Sequence, residues 1–216
     1  MKTVYIGGEG EIVEKKSRFI ATVRPVASEE EAVAFIAEMK KKYWDARHNC
    51  SAFVIGDRQE ISRCSDDGEP AQTAGRPMLD VLLREEIHNA AVVVTRYFGG
   101  VLLGTGGLVR AYQGAVQAGL AASTIIDKKE GIHLAIGTDY TGLGKLQYLI
   151  AQQNLTLIDT VYTEKVKLQL MVPAEQQQEV EKEIVEATNG SARISWGEKV
   201  LYALIDKKIE IFEKNT

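Results

Sequence analysis

Residues 90–112 read AAVVVTRYFGGVLLGTGGLVRAY, and this stretch decides the fold. Ala90-Ala91-Val92-Val93-Val94-Thr95 is a continuous β-branched run between polar residues, the pattern of a strand covered on both faces. A glycine-rich loop follows. A helix is then predicted from about Gly106 to Ala121, with Leu108, Tyr112, Ala115 and Val116 as its core stripe and Arg110, Gln113 and Gln117 polar. A strand with two buried faces needs a layer on each side.

The segments upstream supply those layers. Residues 4–24 read as two short strands divided at Gly7-Gly8-Glu9-Gly10. Ser28 and Glu31 form a capping box, and Ala32, Phe35, Ile36, Met39 and Tyr43 follow at helical spacing. Lys40, Lys41 and Lys42 close that helix against the negative end of its dipole, on a solvated face. Residues 48–64 read as a hairpin turning near Asp57, which would set Cys50 opposite Cys64 on one face. Two cysteines make neither a disulfide framework nor a four-thiolate zinc site, and they read as buried free thiols. A further helix is predicted around 77–86.

After the polar break Asp127-Lys128-Lys129-Glu130-Gly131 the pattern restarts. Ile132, Leu134 and Ile136 alternate as a strand, Leu143, Leu146, Leu149 and Ile150 mark a helix, and 155–162 and 166–172 are strands. Pro173 opens a glutamate-rich helix that Asn189-Gly190 ends, and Arg193–Ile205 is extended. The order β-α-β-β-α-β is the ferredoxin-like arrangement. Two domains follow, residues 1–130 and 131–216.

The formal net charge of −4 excludes a wholly basic nucleic-acid coat but not a local basic face. No apolar run approaches the roughly 20 residues of a membrane span, and the N-terminus shows no secretory signal pattern, so a cytoplasmic protein without a membrane partner is expected. From Ile87 to Ile126 there is no acidic residue, while Arg96 and Arg110 flank the loop. Gly99, Gly100, Gly104, Thr105, Gly106 and Gly107, ending at a helix N-terminus, form a candidate anion-binding loop, with close helix–sheet packing as the competing reason for the glycines. The third dinucleotide-motif glycine is replaced by Val109, and Gly142-Leu143-Gly144-Lys145 lacks the phosphate-loop spacing. Asp66, Asp67 and Glu69 read as turn formers and helix caps before metal ligands. His48 and Cys50 are two apart on one strand face, a spacing equally suited to packing. No catalytic residue, metal or cofactor is assigned.

Four segments carry a resemblance: Lys15–Ile20 (KKSRFI), Asp45–Phe53 (DARHNCSAF), Ser65–Leu79 (SDDGEPAQTAGRPML) and Val92–Tyr112. Together they resemble the IMPACT family, in particular its bacterial YigZ-type members. The resemblance implies an α+β fold: an α+β first domain similar to the second domain of a small-subunit ribosomal protein, then a ferredoxin-like domain, a tandem also found at the end of elongation factor G. It implies translation control, since eukaryotic relatives are implicated in competing for a partner of a stress-activated kinase, and nucleic-acid or ribosome binding, suggested for bacterial members. Position 72 is Gln72 where relatives often carry glycine.

The expected function is a non-enzymatic module that binds RNA or the ribosome and modulates translation. Lys16, Arg18, Arg76, Arg96 and Arg110 would contact phosphates, Tyr97 would stack on a base and His48 would supply a hydrogen bond. Two rivals stand beside it. One is a small-molecule enzyme that holds phosphate in the 99–107 loop and uses Asp66, Asp67 or His48 as acid–base groups or metal ligands, on a fold shared with small-molecule kinases. The other is an adaptor whose loops meet a polypeptide.

Overall fold

In the computed structural model, which describes residues 1–212, the chain divides into two compact units, Met1–Asp127 and a second beginning at Lys128. The last four residues of the expected second domain lie outside the described ones. In chain order the first unit contains β1 (Lys2–Ile6), β2 (Glu9–Glu14), β3 (Ser17–Pro25), α1 (Glu29–Lys42), β4 (His48–Ile55), β5 (Ile61–Ser65), α2 (Gly75–Arg84), β6 (Ile87–His88), β7 (Ala90–Tyr97), α3 (Thr105–Ala121) and β8 (Thr124–Asp127).

β7 is the middle of a five-stranded sheet ordered β2-β3-β7-β4-β5, antiparallel throughout. Val92 and Val94 pack with Met78, Leu82, Tyr112 and Val116 of α2 and α3, while Ala91 and Val93 pack with Phe35 and Met39 of α1. The two-faced burial expected of residues 90–95 is therefore observed, with a helical layer on each side. A second small sheet, β6-β1-β8, joins the chain ends of the unit.

The helix starts follow the sequence. Ser28 Oγ accepts from Glu31 N at 3.2 Å and Glu31 Oε2 accepts from Ala27 N at 2.8 Å, closing the capping box one residue earlier than its usual reach. Between residues 2 and 25 there are three strands where two were expected. The extra reversal falls at Lys15-Lys16, both with positive φ (46° and 66°), a two-residue turn that ordinarily draws on Asn or Gly. The β4–β5 hairpin pairs Ala52 with Cys64, so the reversal centres on Arg58 and not Asp57. Cys50 and Cys64 share a face but are offset by two residues. Cys50 is buried and Cys64, on the edge strand, is exposed.

The second unit holds β9 (Lys129–Thr138), α4 (Tyr140–Gln152), β10 (Thr156–Tyr162), β11 (Val166–Pro173), α5 (Gln177–Thr188), β12 (Arg193–Ile205) and β13 (Lys208–Phe212). Its sheet runs β10-β11-β9-β12-β13, so the first four strands have the interleaved ferredoxin-like order and β13 adds an edge. Leu134, Ile136, Leu146, Leu168, Leu170 and Ile184 fill its core. Asn189 ends α5 in the left-handed region (φ 50°) and Gly190 N donates to Val185 O at 2.8 Å, the expected stop.

α3 lies directly on β2 at Gly10. A Cβ there would stand 2.4 Å from the Ala118 carbonyl carbon, which is backbone and cannot swing aside. Gly10→Ala should therefore lower the denaturation midpoint by an amount equivalent to about 1–3 kcal/mol, the usual cost of overpacking. Urea unfolding checks this.

Candidate nucleic-acid interface

The sheet rows converge at one end, where β3 and β4 begin and β7 finishes. Ile12, Phe19, Arg96 and His48 stand opposite one another across four strands. Their row belongs to the face covered by α2 and α3. Arg96 is therefore drawn into the interior, with a side chain only 7% exposed. Its Nη1 donates to Glu69 Oε1 at 2.7 Å, and Tyr112 OH of α3 donates to the same oxygen at 2.8 Å. The Phe19 and Phe98 rings lie 5.4 and 5.6 Å from the guanidinium carbon. Its buried Nε has no hydrogen-bond partner, so those aromatic faces are what it meets. Arg96 is thus a structural cation, not an exposed phosphate contact as expected, because an arginine on a strand with two covered faces has no route to water.

The neighbouring acids are consumed in the same way. Asp66 accepts from Gln72 N (2.8 Å), Ala74 N (3.0 Å) and Gly75 N (2.8 Å), serving as the side-chain cap of α2 from outside the helix. Asp67 accepts from Asn49 N at 2.7 Å and Lys40 Nζ at 2.5 Å. Among the described residues no cluster of three His, Cys, Asp or Glu could hold a metal ion. Gln72 has φ 61°, a left-handed conformation that explains why glycine suits this position; here the amide bond to Asp66 holds a non-glycine residue there.

His48 Nδ1 lies 2.9 Å from Asp67 O and so carries the donated proton. Cys50 Sγ donates to Asp66 O at 2.9 Å and stands 3.3 Å from Tyr112 OH. Burial pushes the Cys50 thiol up to about 12, against a weaker opposing effect of the Tyr112 hydrogen bond, and burial likewise raises Tyr112. A thiol held neutral is a poor nucleophile.

The remaining expected contacts separate into paired and free. Arg18 is exposed and gripped by Glu11 through two bonds of 2.7 and 3.0 Å, and it lies 5.8 Å from the Tyr97 ring. Arg76 is exposed and paired with Asp80 at 2.7 Å. Tyr97 is half-buried and donates its hydroxyl to Asp45 at 2.9 Å. Partial desolvation and the Asp45 bond raise its pKa. Lys16 and Arg110 are exposed and have no ion-pair partner among the described residues.

The glycine loop links the Lys15-Lys16 turn to the helix that carries Arg110. Gly99 N donates to Ser17 Oγ at 3.1 Å, and a Cβ at Gly99 would sit 2.0 Å from the Lys16 carbonyl carbon, so the loop lies against the Lys15-Lys16 turn. Gly100 (φ 84°) and Gly104 (φ 73°) turn the chain into α3. That helix has no side-chain cap and no acid in its first turn, formed by Thr105, Gly106 and Gly107. Its first amides therefore keep the positive end of the dipole uncompensated, with Arg110 one turn on.

Sequence reasoning missed Glu69 as the partner of Arg96 and Trp44 as an exposed ring. A signal for the first was present: an arginine directly after a run read as buried on both faces is carried inward with the strand and requires a buried acid.

A family model described as the Impact N-terminal domain matches residues 15–120, and a domain of unknown function, DUF1949, matches residues 136–191. The chain is 42% identical to the IMPACT family member YvyE of Bacillus subtilis over 91% of this chain and 90% of that one. It is 37% identical to the IMPACT family member YigZ of Escherichia coli over 83% and 89%. A crystal structure described only as that of a hypothetical protein superposes with a TM-score of 0.57 at 34% identity, covering 91% of this chain and 97% of the other.

Two outcomes test this geometry. Glu69→Ala leaves Arg96 buried and unpaired and should cost about 3–5 kcal/mol in chemical denaturation, whereas Glu69→Leu combined with Arg96→Met should cost less than the single change. At pH 8 a disulfide thiol reagent should titrate Cys64 alone, with Cys50 at least a hundredfold slower until denaturant exposes it. The stability gained by keeping Cys50 neutral is full below its ordinary value near 9 and is lost as pH rises toward 12.

Proposed function

The chain belongs to the IMPACT family, and from that premise we propose that it is a cytoplasmic, non-enzymatic module that binds RNA, free or on the ribosome, and modulates translation. The observation that carries this reading is electrostatic. In the Asp66–Glu69 loop each carboxylate bonds to groups of the unit itself, while Lys16, whose backbone lies against Gly99, and Arg110, in the second turn of the uncapped α3, have no ion-pair partner among the described residues. A polyanion backbone supplies the charge this arrangement lacks. Arg18 and Arg76 sit in exposed pairs worth little, so phosphate can compete for them. The translational half of the reading rests on the family resemblance. The enzymatic alternative loses support because the acid–base groups it would employ, Asp66, Asp67 and His48, are committed to backbone bonds.

Charge reversal tests the reading. The double substitution Lys16→Glu/Arg110→Glu should weaken RNA binding at least tenfold and reduce the slope of log K against log salt by about 1.4 on single strands, two contacts at about 0.7 each. Unchanged affinity and slope in filter binding or fluorescence anisotropy would remove these residues from the interface.

A further inference from the structure

The same end of the first unit carries exposed rings that its core does not use. Trp44, after α1, is 82% exposed and Phe98, after β7, is 54% exposed. One hydrogen bond ties the two segments that carry them: Tyr97, the residue before Phe98, donates its hydroxyl to Asp45, the residue after Trp44. Phe98 is backed by the Arg96 guanidinium, which Glu69 holds still. Cations lie on or beside the same segments: Lys16, whose backbone meets Gly99, Arg18 over Tyr97, and exposed Arg47 three residues beyond Trp44.

We propose that this end binds unpaired nucleobases of single-stranded RNA, with Trp44 and Phe98 as stacking platforms and Lys16 and Arg110 on the flanking phosphates. The proposal rests on the RNA reading above and adds the substrate class. A base inside a duplex has both faces covered by its neighbours, so an exposed ring gains a partner only from a base that is out of the helix. Exposed rings together with exposed cations match a chain that alternates flat bases with phosphates. Tyr97, expected to stack itself, instead ties β7 to the segment after α1, its hydroxyl bound to Asp45 and its ring beneath Arg18.

Fluorescence anisotropy with a labelled unstructured 12-nucleotide RNA and with the corresponding 12-base-pair RNA duplex, at one salt concentration, tests this. The single strand should bind more tightly than the duplex. Trp44→Ala and Phe98→Ala should each weaken it about tenfold without altering the salt slope, since stacking releases no counterions. In a Trp196→Phe background, which leaves Trp44 as the sole tryptophan, the single strand should quench emission and the duplex should not. Both aromatic positions are exposed, and circular dichroism verifies folding. Equal affinity for duplex and single strand, or losses below twofold in both alanine variants, overturns the proposal; if Lys16→Glu/Arg110→Glu still weakens binding, the RNA reading survives it. If neither RNA binds, both readings are overturned. A nuclease-resistant protein partner that Trp44→Ala releases overturns it in favour of a polypeptide ligand.

Discussion

The Glu69 carboxylate is the interaction on which the first unit turns. One oxygen of a loop residue receives both the Arg96 guanidinium of the central strand and the Tyr112 hydroxyl of the long helix. Loop, sheet and helix are thereby tied at a single buried point, in surroundings where an unmatched charge would be expensive. The neighbouring acids extend the tie: Asp66 caps the helix that follows and Asp67 binds the start of the adjacent strand. The conformation of residues 66–75 is thus set by three carboxylates, including the left-handed backbone that Gln72 adopts.

This inward use of acids has an outward consequence. A protein with a net charge of −4 presents at this end two exposed cations, Lys16 and Arg110, without an ion-pair partner among the described residues. The same segment is free of acids from residue 87 to residue 126, so the helix dipole is left uncompensated over its first turn. The Lys15-Lys16 turn adds to this at some conformational cost, since two successive lysines in the left-handed region give up roughly 1–2 kcal/mol each. The close seat of Gly99 against Lys16 is one contact that holds the turn in place.

Much of the fold was legible in the sequence because it depends on local pattern. The run from Ala90 to Thr95, the capping box at Ser28 and the stop at Asn189-Gly190 each encode their own geometry, and all three are observed. The β-α-β-β-α-β order of the second unit followed from alternation alone. What escaped notice depends on partners distant in sequence or on turns that defy preference. Arg96 lies 27 residues from Glu69, and proximity to a glycine loop made it look exposed. The Lys15-Lys16 reversal lacks the Asn or Gly that normally announces such a turn, so three strands read as two. A one-residue shift of the hairpin centre moved Cys64 from Cys50 to Ala52. Trp44 was passed over because an aromatic at a helix end looks like core until the exposure is known.

Ultraviolet crosslinking in cells, followed by mass spectrometry of the adducted peptides, examines the central claim most directly: that the carboxylates of one loop turn inward and leave a cationic, ring-bearing end free for RNA. Nucleotide adducts should concentrate in peptides containing residues 15–18, 43–48 and 97–110. Adducts confined to the second unit, or a chain that yields none while other RNA-binding proteins in the same sample are labelled, would contradict the account.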